Sequence, residues 1–523
     1  MGGGKKGRSA SKSCASGDQR ALRNAVDAIV NDAVTIQDSA ASLPPAQASG
    51  ALELTAKRYR EALERFPGHA EAAYNLATCL SEQAALQDTY ERQVALRLES
   101  RTLLEGVVER DTSGRGATTA LSHHAAGNVI RDLVEAYRGR AADNAYPDGP
   151  LRCFSPAECM EQLQQACRHL DSSISIEKRL QNPSGHMDEA LVHFGDTLAS
   201  MMDVVMGTHT TRGDAQALPP AALMREASTL CSSACAKYSE ALAVETSSGG
   251  SDVDTLRLKA GAVIEFLDWA LPEAPSPEPV GGFMRALGFQ AEALLTIGEE
   301  AVGTLLGLEQ DNVGGFLAKG DLCRLRARMA MLSDARLEEE GRWREESVQW
   351  FTRAVTVAPQ DADALSTAGE GSLEYGKRSL RLYEIFVGAG QAGEVLAVSS
   401  SPLHREEIRT SGIARLQDAG SLLSRAASAE TSDPDVAYNA ACAFALSGDQ
   451  NSCSQAFREF CRRLVQIDGA SAGRREAARN SLRQAWSDGD LEGVKDTDWF
   501  LDLARRTEVA ILGEGLEICM PKK

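Results

Sequence analysis

A chain of 523 residues with 43% hydrophobic content can bury an extensive core, and with only 5% aromatic residues and few β-branched runs its composition favours helix throughout. Acidic side chains outnumber basic ones 74 to 55, a formal charge of -19 that argues against nucleic-acid phosphates as a ligand and favours a solvated acidic surface or a basic partner. No apolar stretch approaches the ~20 residues of a membrane span and no secretory h-region is visible, so a soluble, cytoplasmic protein is expected, with nucleus or organelle left open.

Residues 1–17, MGGGKKGRSASKSCASG, contain no acid and almost nothing apolar, and are expected to form a disordered basic tail. Lys6 stands where a myristoylation motif has Ser or Thr. From Asp18 onward, helical periods alternate with short breakers. Leu22, Val26, Ile29, Val30 and Val34 share one stripe, and Leu43-Pro44-Pro45 ends it. A second helix stops at Pro67-Gly68, and a third starts at about Ala70. That third helix carries AYNLATCL, Ala73 to Leu80, and a near copy, AYNAACAF, stands 364 residues further on at Ala437 to Phe444. The Pro-rich stretch LPEAPSPEPVGG excludes continuous helix, so residues 271–282 are expected to be a linker or long loop between helical lobes at 18–270 and 283–487. A cap and tail are expected at 488–523.

The stretch YREALERFPGHAEAAYNLATCL resembles the tetratricopeptide repeat: Tyr59, Ala62 and Pro67 close one unit, and Leu76, Ala77 and Leu80 fall where the next unit's first helix packs. FTRAVTVAPQDADALSTAGEGS matches in the same way, with Phe351, Ala354 and Pro359 closing a unit and Gly369 at the small position of the next. Tyr238 and Ala241 give a weaker match. DPDVAYNAACAFALSGDQNSCSQAFREF gives the last, with Gly448-Asp449 as its turn. DGDLEGVKDTDWF, Asp488 to Phe500, is similar to the segment that closes such arrays. The resemblance implies an all-α, right-handed α-solenoid of antiparallel helix pairs. At about 34 residues per unit the span between the two phrases would hold a little over ten repeats. Only about six helix pairs are visible there, so long helices or insertions are expected.

The resemblance also implies where a partner would bind, because first helices of successive repeats line a groove in that family. Asn75 and Asn439 match its peptide-binding Asn, with Glu71 and Asp435 one turn earlier, Tyr74 and Tyr438 alongside, and Thr78 and Cys442 later on the same face. Acids precede both asparagines where carboxylate-clamping relatives have a Lys, so a C-terminal carboxylate is not the expected ligand. The implied function is a non-catalytic scaffold or adaptor for a protein or peptide. Two alternatives remain: an acidic escort for a basic client such as a ribosomal protein, or a regulatory or catalytic protein with an unrecognised site.

Chemistry-bearing motifs are sparse. GAGQAG, Gly388 to Gly393, has no βαβ context and reads as a flexible loop. His123 and His124 diverge by about 100° on a helix. His186 and His193, with Asp188 and Glu189 between them, could share a face, whereas Cys167 and His169 could not. The twelve cysteines include no C-x-x-C pair and are expected to be reduced, small buried hydrophobes. No metal and no cofactor are expected.

Overall fold

The computed structural model describes residues 10–87, 89–111, 116–142, 154–180, 185–210, 220–248, 252–271, 283–331, 337–392, 402–429, 433–467 and 472–512. Among them are eighteen α-helices, a single 3-10 turn and no strand. The helices are α1 (Ala10–Ala40), α2 (Pro45–Arg65), α3 (Ala70–Ala85), α4 (Tyr90–Arg110), α5 (Ala117–Ala142), α6 (Pro156–Glu177), α7 (Met187–Thr210), α8 (Ala221–Ser248) and α9 (Val253–Ala270). They continue as α10 (Phe283–Leu308), α11 (Val313–Met331), α12 (Leu337–Val357), α13 (Ala362–Ala392), α14 (Pro402–Ala429), α15 (Pro434–Ser447), α16 (Gln450–Ile467), α17 (Ala472–Ser487) and α18 (Asp498–Leu512), with the 3-10 turn at Gly489–Leu491. None of these helices is long and apolar enough to cross a membrane.

Helix ends follow the local chemistry. Pro45 opens α2, where a missing N–H costs nothing. Ser155 and Glu158 form a reciprocal capping box on α6. Gly448 closes α15 with φ +83°, a left-handed conformation that favours glycine. His69 caps α3 by accepting from the Ala72 amide at 3.1 Å, while its other ring nitrogen lies 2.8 Å from Asp27.

The described residues fall into two compact units, one holding α1–α7 and residues 229–248 of α8, the other residues 221–228 of α8 together with α9–α18. The division falls at residues 252/253, ahead of the Pro-rich stretch, because α9 packs on α10 and α11. Residues 272–282 lie outside the described set. In each unit a helix packs mainly on its neighbours in sequence, the antiparallel stacking of an α-solenoid. A second set of contacts joins alternate helices: α1 with α3, α3 with α5 and α5 with α7 in the first unit, then α9 with α11, α11 with α13 and α13 with α15 in the second. Apart from α16 with α18 at the C-terminal cap, the alternate pairs are odd-numbered, so ahead of the cap the odd helices form the closer-packed inner layer of each unit.

Small residues permit this approach. Ala73 and Ala77 on α3 are buried, as are Ala437 and Ala441 on α15. Three even helices also send a buried serine hydroxyl to a carbonyl of the preceding odd helix: Ser100 to Ala77 at 2.7 Å, Ser173 to Ala120 at 2.8 Å and Ser347 to Gly320 at 2.8 Å. Each such bond adds about 1 kcal/mol to the pairing, and nothing in the spacing of the serines announces it.

The structure corrects several expectations. Helix α1 begins at Ala10, so residues 10–17 of the expected tail are helical, while 1–9 lie outside the described residues. Val26 and Val30 are buried on the α1 stripe, whereas Leu22 is exposed. Gly388 to Ala392 belongs to the end of α13 and is not a loop, and Gly393 is outside the described residues. The six helix pairs between the repeated phrases account for the long spacing chiefly by helix length, with 31 residues in α13 and 28 in α14. Leu491, Val494 and Phe500 of the closing segment are buried with Phe457 and Phe460.

No disulfide joins Cys79, Cys159, Cys167, Cys231, Cys235, Cys323, Cys442, Cys453 or Cys461, and of these all except the half-buried Cys167 are buried. Burial pushes the thiols of Cys79, Cys167, Cys323, Cys453 and Cys461 up to about 12, which keeps them protonated and unreactive.

Candidate functional site

The two groups of candidate groove residues occupy separate units, one on α3 and one on α15. On α3, Glu71 is exposed and Tyr74, Asn75 and Thr78 are half-buried, while the intervening Ala72, Ala73, Leu76 and Ala77 are buried. Thr78 donates to the Asn75 carbonyl at 3.0 Å, and Tyr74 packs against the core cluster that includes Val94, Ala126 and Tyr137. On α15, Asp435 is exposed and Tyr438 and Asn439 are half-buried. Cys442 does not line the face as expected: it is 2% exposed, because its position turns toward the core that α15 shares with Phe457 and Phe460.

Around Asn439 the inner layer of the second unit is built from charge. Glu374 on α13 takes three arginines: Arg328 at 2.7 Å and Arg324 at 3.2 Å from α11, and Arg344 at 3.2 Å from α12. Arg344 also holds Glu340 at 3.0 Å, and Glu340 holds Arg378 at 2.8 Å. At the other end, Arg324 reaches Asp321 at 2.9 Å and Asp268 of α9 at 3.0 Å. Arg328 is 1% exposed and Glu340 2%, so these are desolvated ions, tolerable only because each is multiply paired. Burial pushes the Glu374 carboxyl up, but the hydrogen bonds from Arg328 and the charges of Arg328, Arg324 and Arg344 outweigh it and hold the group at about 2.

In this network four carboxylates (Asp268, Asp321, Glu340 and Glu374) face four guanidiniums (Arg324, Arg328, Arg344 and Arg378). Glu370, one turn before Glu374, is surplus. Its partner is the side-chain amide of Asn439, which donates a hydrogen bond to it. Burial pushes the Glu370 carboxyl above its ordinary range, against a pull from Arg324 and with added repulsion from Asp321 and Asp268. Yet Glu370 is solvent-exposed. Glu370 is thus accessible to solvent while the protein around it still penalises its charge. Asp435 is in the same condition, exposed but raised first by burial and then by Asp433.

The face continues onto the closing segment. The Tyr438 hydroxyl donates to Asp488, and Lys377 of α13 pairs with Asp490. Cys442, Asp488 and Asp490 thereby cluster with ligand atoms within 4.8 Å of one another. Both carboxylates already have a donor or a cation, and burial pushes the Cys442 thiol well above its ordinary range, so the cluster reads as a packed junction between α15 and the cap. Nothing here resembles a nucleophile with a base at its side.

Sequence reasoning named Asn439 as a candidate and did not name Glu370, Glu374, Asp321 or the arginines around it. The available signal was on α13, where Glu370, Glu374, Lys377 and Arg378 repeat at i, i+4, i+7 and i+8. That is the spacing of a buried stripe, written in charges.

No protein-family model matches the chain, and no curated protein matches it. Among solved structures, a circular tandem repeat protein with novel repeat topology aligns over 94% of this chain and 98% of its own, at 14% identity and a TM-score of 0.31. The nuclear import adaptor Nro1 of S. pombe aligns over 71% of this chain and 98% of its own, at 13% identity and a TM-score of 0.34. The APC/C hetero-tetramer Cut9-Hcn1 aligns over 89% of this chain and 91% of its own, at 12% identity and a TM-score of 0.17.

Proposed function

We propose that the protein is a non-catalytic interaction scaffold of tetratricopeptide type, and that the inner face of its second unit receives a basic, extended segment of a partner protein. The observation that carries this reading is Glu370: a desolvated yet accessible carboxylate, held in orientation by Asn439 and left over from an otherwise balanced charge network. A Lys or Arg placed against it would offset, by its charge, the desolvation that now raises its carboxyl. Asp435 lies one turn before Asn439 and extends the same demand for positive charge along α15. The overall charge of -19 also fits the escort of a basic client, a narrower version of the same chemistry.

Fluorescent decapeptides of graded Lys and Arg content test the proposal by anisotropy. Binding should rise with positive charge and weaken as salt increases. Glu370→Gln with Asp435→Asn should cost about tenfold in Kd, roughly 1.4 kcal/mol. Equal binding of neutral and basic peptides, or no loss in the double variant, would sink it.

A further inference from the structure

Five of the chain's eight histidines lie on α5 (His123, His124), α6 (His169), α7 (His193) and just ahead of α7 (His186) in the first unit, far in sequence from the charge network. His124 Nε2 lies 2.7 Å from His193 Nδ1, joining α5 to α7. Asn128, one turn after His124, places its amide nitrogen 2.8 Å from the same His193 Nδ1. Three side chains thus converge on one point. The arrangement leaves the Asn128 Oδ1 buried and without a hydrogen-bond partner. A buried amide oxygen with no donor is uncommon, and a cation at the convergence point is a partner that it can take once the amide turns.

Glu189 stands one turn before His193 on α7, and its carboxylate is 3.1 Å from His186 Nδ1. Its charge is felt at His124 and at Tyr74 of α3, although in the present arrangement its carboxylate oxygens are not within 4.8 Å of both ring nitrogens. Both Glu189 and His186 are exposed, and either can swing inward at little cost. Arg131 also faces the pair, but it is held by Asp196 at 3.0 Å, which offsets its charge.

From these placements we propose that His124, His193 and Asn128 form a site for one zinc(II) ion, completed by Glu189. Imidazole nitrogen with carboxylate or amide oxygen is a donor set suited to this ion. Zinc–nitrogen bonds of about 2.05 Å in tetrahedral geometry require the two ring nitrogens to stand about 3.3 Å apart. That is a little over half an ångström more than their present hydrogen-bonded spacing, within the reach of side-chain rotation alone. His124 would carry its proton on Nδ1 and coordinate through Nε2; the other histidine pair, His123 and His169 with Nδ1 atoms 3.0 Å apart, lies outside the site. The ion would tie α5 to α7 across the inner layer of the unit.

Chelator-stripped full-length protein should be titrated with zinc by calorimetry and with cobalt(II) by visible absorption. The expected result is one equivalent bound with a Kd of about 10 μM or tighter, a tetrahedral cobalt band that excess magnesium does not remove, and a higher melting temperature with zinc. His124→Gln with His193→Gln should abolish all three. Glu189→Gln, on an exposed side chain that folding does not need, should weaken binding at least about fivefold. His123→Gln with His169→Gln should leave binding unchanged. No saturable binding at ~100 μM zinc, or undiminished binding in both the His124/His193 and the Glu189 variants, would overturn the proposal.

Discussion

Glu374→Gln is expected to lower the stability of the second unit by about 3 kcal/mol, the cost of removing the one carboxylate that three buried guanidiniums share, each keeping only its secondary partner. Glu374 is the hub through which α11, α12 and α13 are joined, since Arg328, Arg324 and Arg344 all converge on it. Glutamine keeps the shape and one acceptor but removes the charge, and Arg328, itself 1% exposed, has no solvent to turn to. The chain's five tryptophans, Trp269, Trp343, Trp350, Trp486 and Trp499, all lie in the second unit. Urea unfolding followed by tryptophan fluorescence therefore reports on this unit alone, while circular dichroism reports on both. The variant should shift the fluorescence transition and leave the remaining helical signal near its original midpoint.

The same residue sets a pH dependence. Its carboxyl is held at about 2, below its ordinary value of about 4.5, so its contribution to stability is complete above pH 4.5 and is lost as pH falls toward 2. Between those limits the parent protein should lose on the order of 3 kcal/mol of fluorescence-monitored stability that Glu374→Gln no longer has to lose. Parallel pH profiles for the two proteins would show that the network does not act through this carboxylate.

Filling the space beside Phe351 is expected to have the next largest effect. This ring, fully buried on α12, is gripped between two glycines of the inner layer. A Cβ added at Gly320 of α11 would sit 2.4 Å from Phe351 Cε1, and one added at Gly371 of α13 would sit 2.3 Å from its Cε2. Neither side can yield, because displacement away from one helix drives the ring into the other. Gly320→Ala with Gly371→Ala should cost about 3 kcal/mol or more, even after helix propensity returns up to ~1 kcal/mol at each position. Phe351→Leu should recover part of the loss in that background while destabilising the parent. If the alanines are neutral, the inner layer is looser than the glycine contacts require. Tyr238 makes the corresponding contact in the first unit, where a Cβ at Gly195 would meet its ring at 2.4 Å.

These cases show what the sequence made legible. Positions whose constraint is local in the chain could be read directly: the Pro67 and Pro359 turns, the closing aromatics Tyr59, Tyr238 and Phe351, and the small residues Ala77 and Gly369. Gly369 does meet Leu423 closely, a built Cβ lying 2.6 Å from its Cγ. The repeated phrase likewise falls on odd helices in both copies. Positions whose meaning depends on a distant helix were not legible. Cys442 shares its helix face with Asn439, and only the core beneath α15 decides that the thiol points inward. Glu340 and Arg344 look like an ordinary i, i+4 surface pair until Arg378 and Glu374 arrive from α13. His186 and His193 were a plausible pair on one helix, but their neighbour His124 comes from α5, 62 residues before His186.

The charge network and the proposed binding face fit together physically. Paired ions fix α9, α11, α12 and α13 at defined spacings, and Glu370 is presented from that rigid layer with its desolvation already built in. Preorganisation of this kind reduces the ordering cost of binding an extended segment.

The central claim is tested most directly by placing a photo-crosslinking residue at Asp435 on the inner face and, separately, at the exposed Gln349 on even helix α12, then identifying captured peptides by mass spectrometry. Segments rich in Lys and Arg should be captured from Asp435, displaced by high salt, and absent from Gln349. Capture of the same segments from Gln349, or of segments without basic residues from Asp435, would contradict the account.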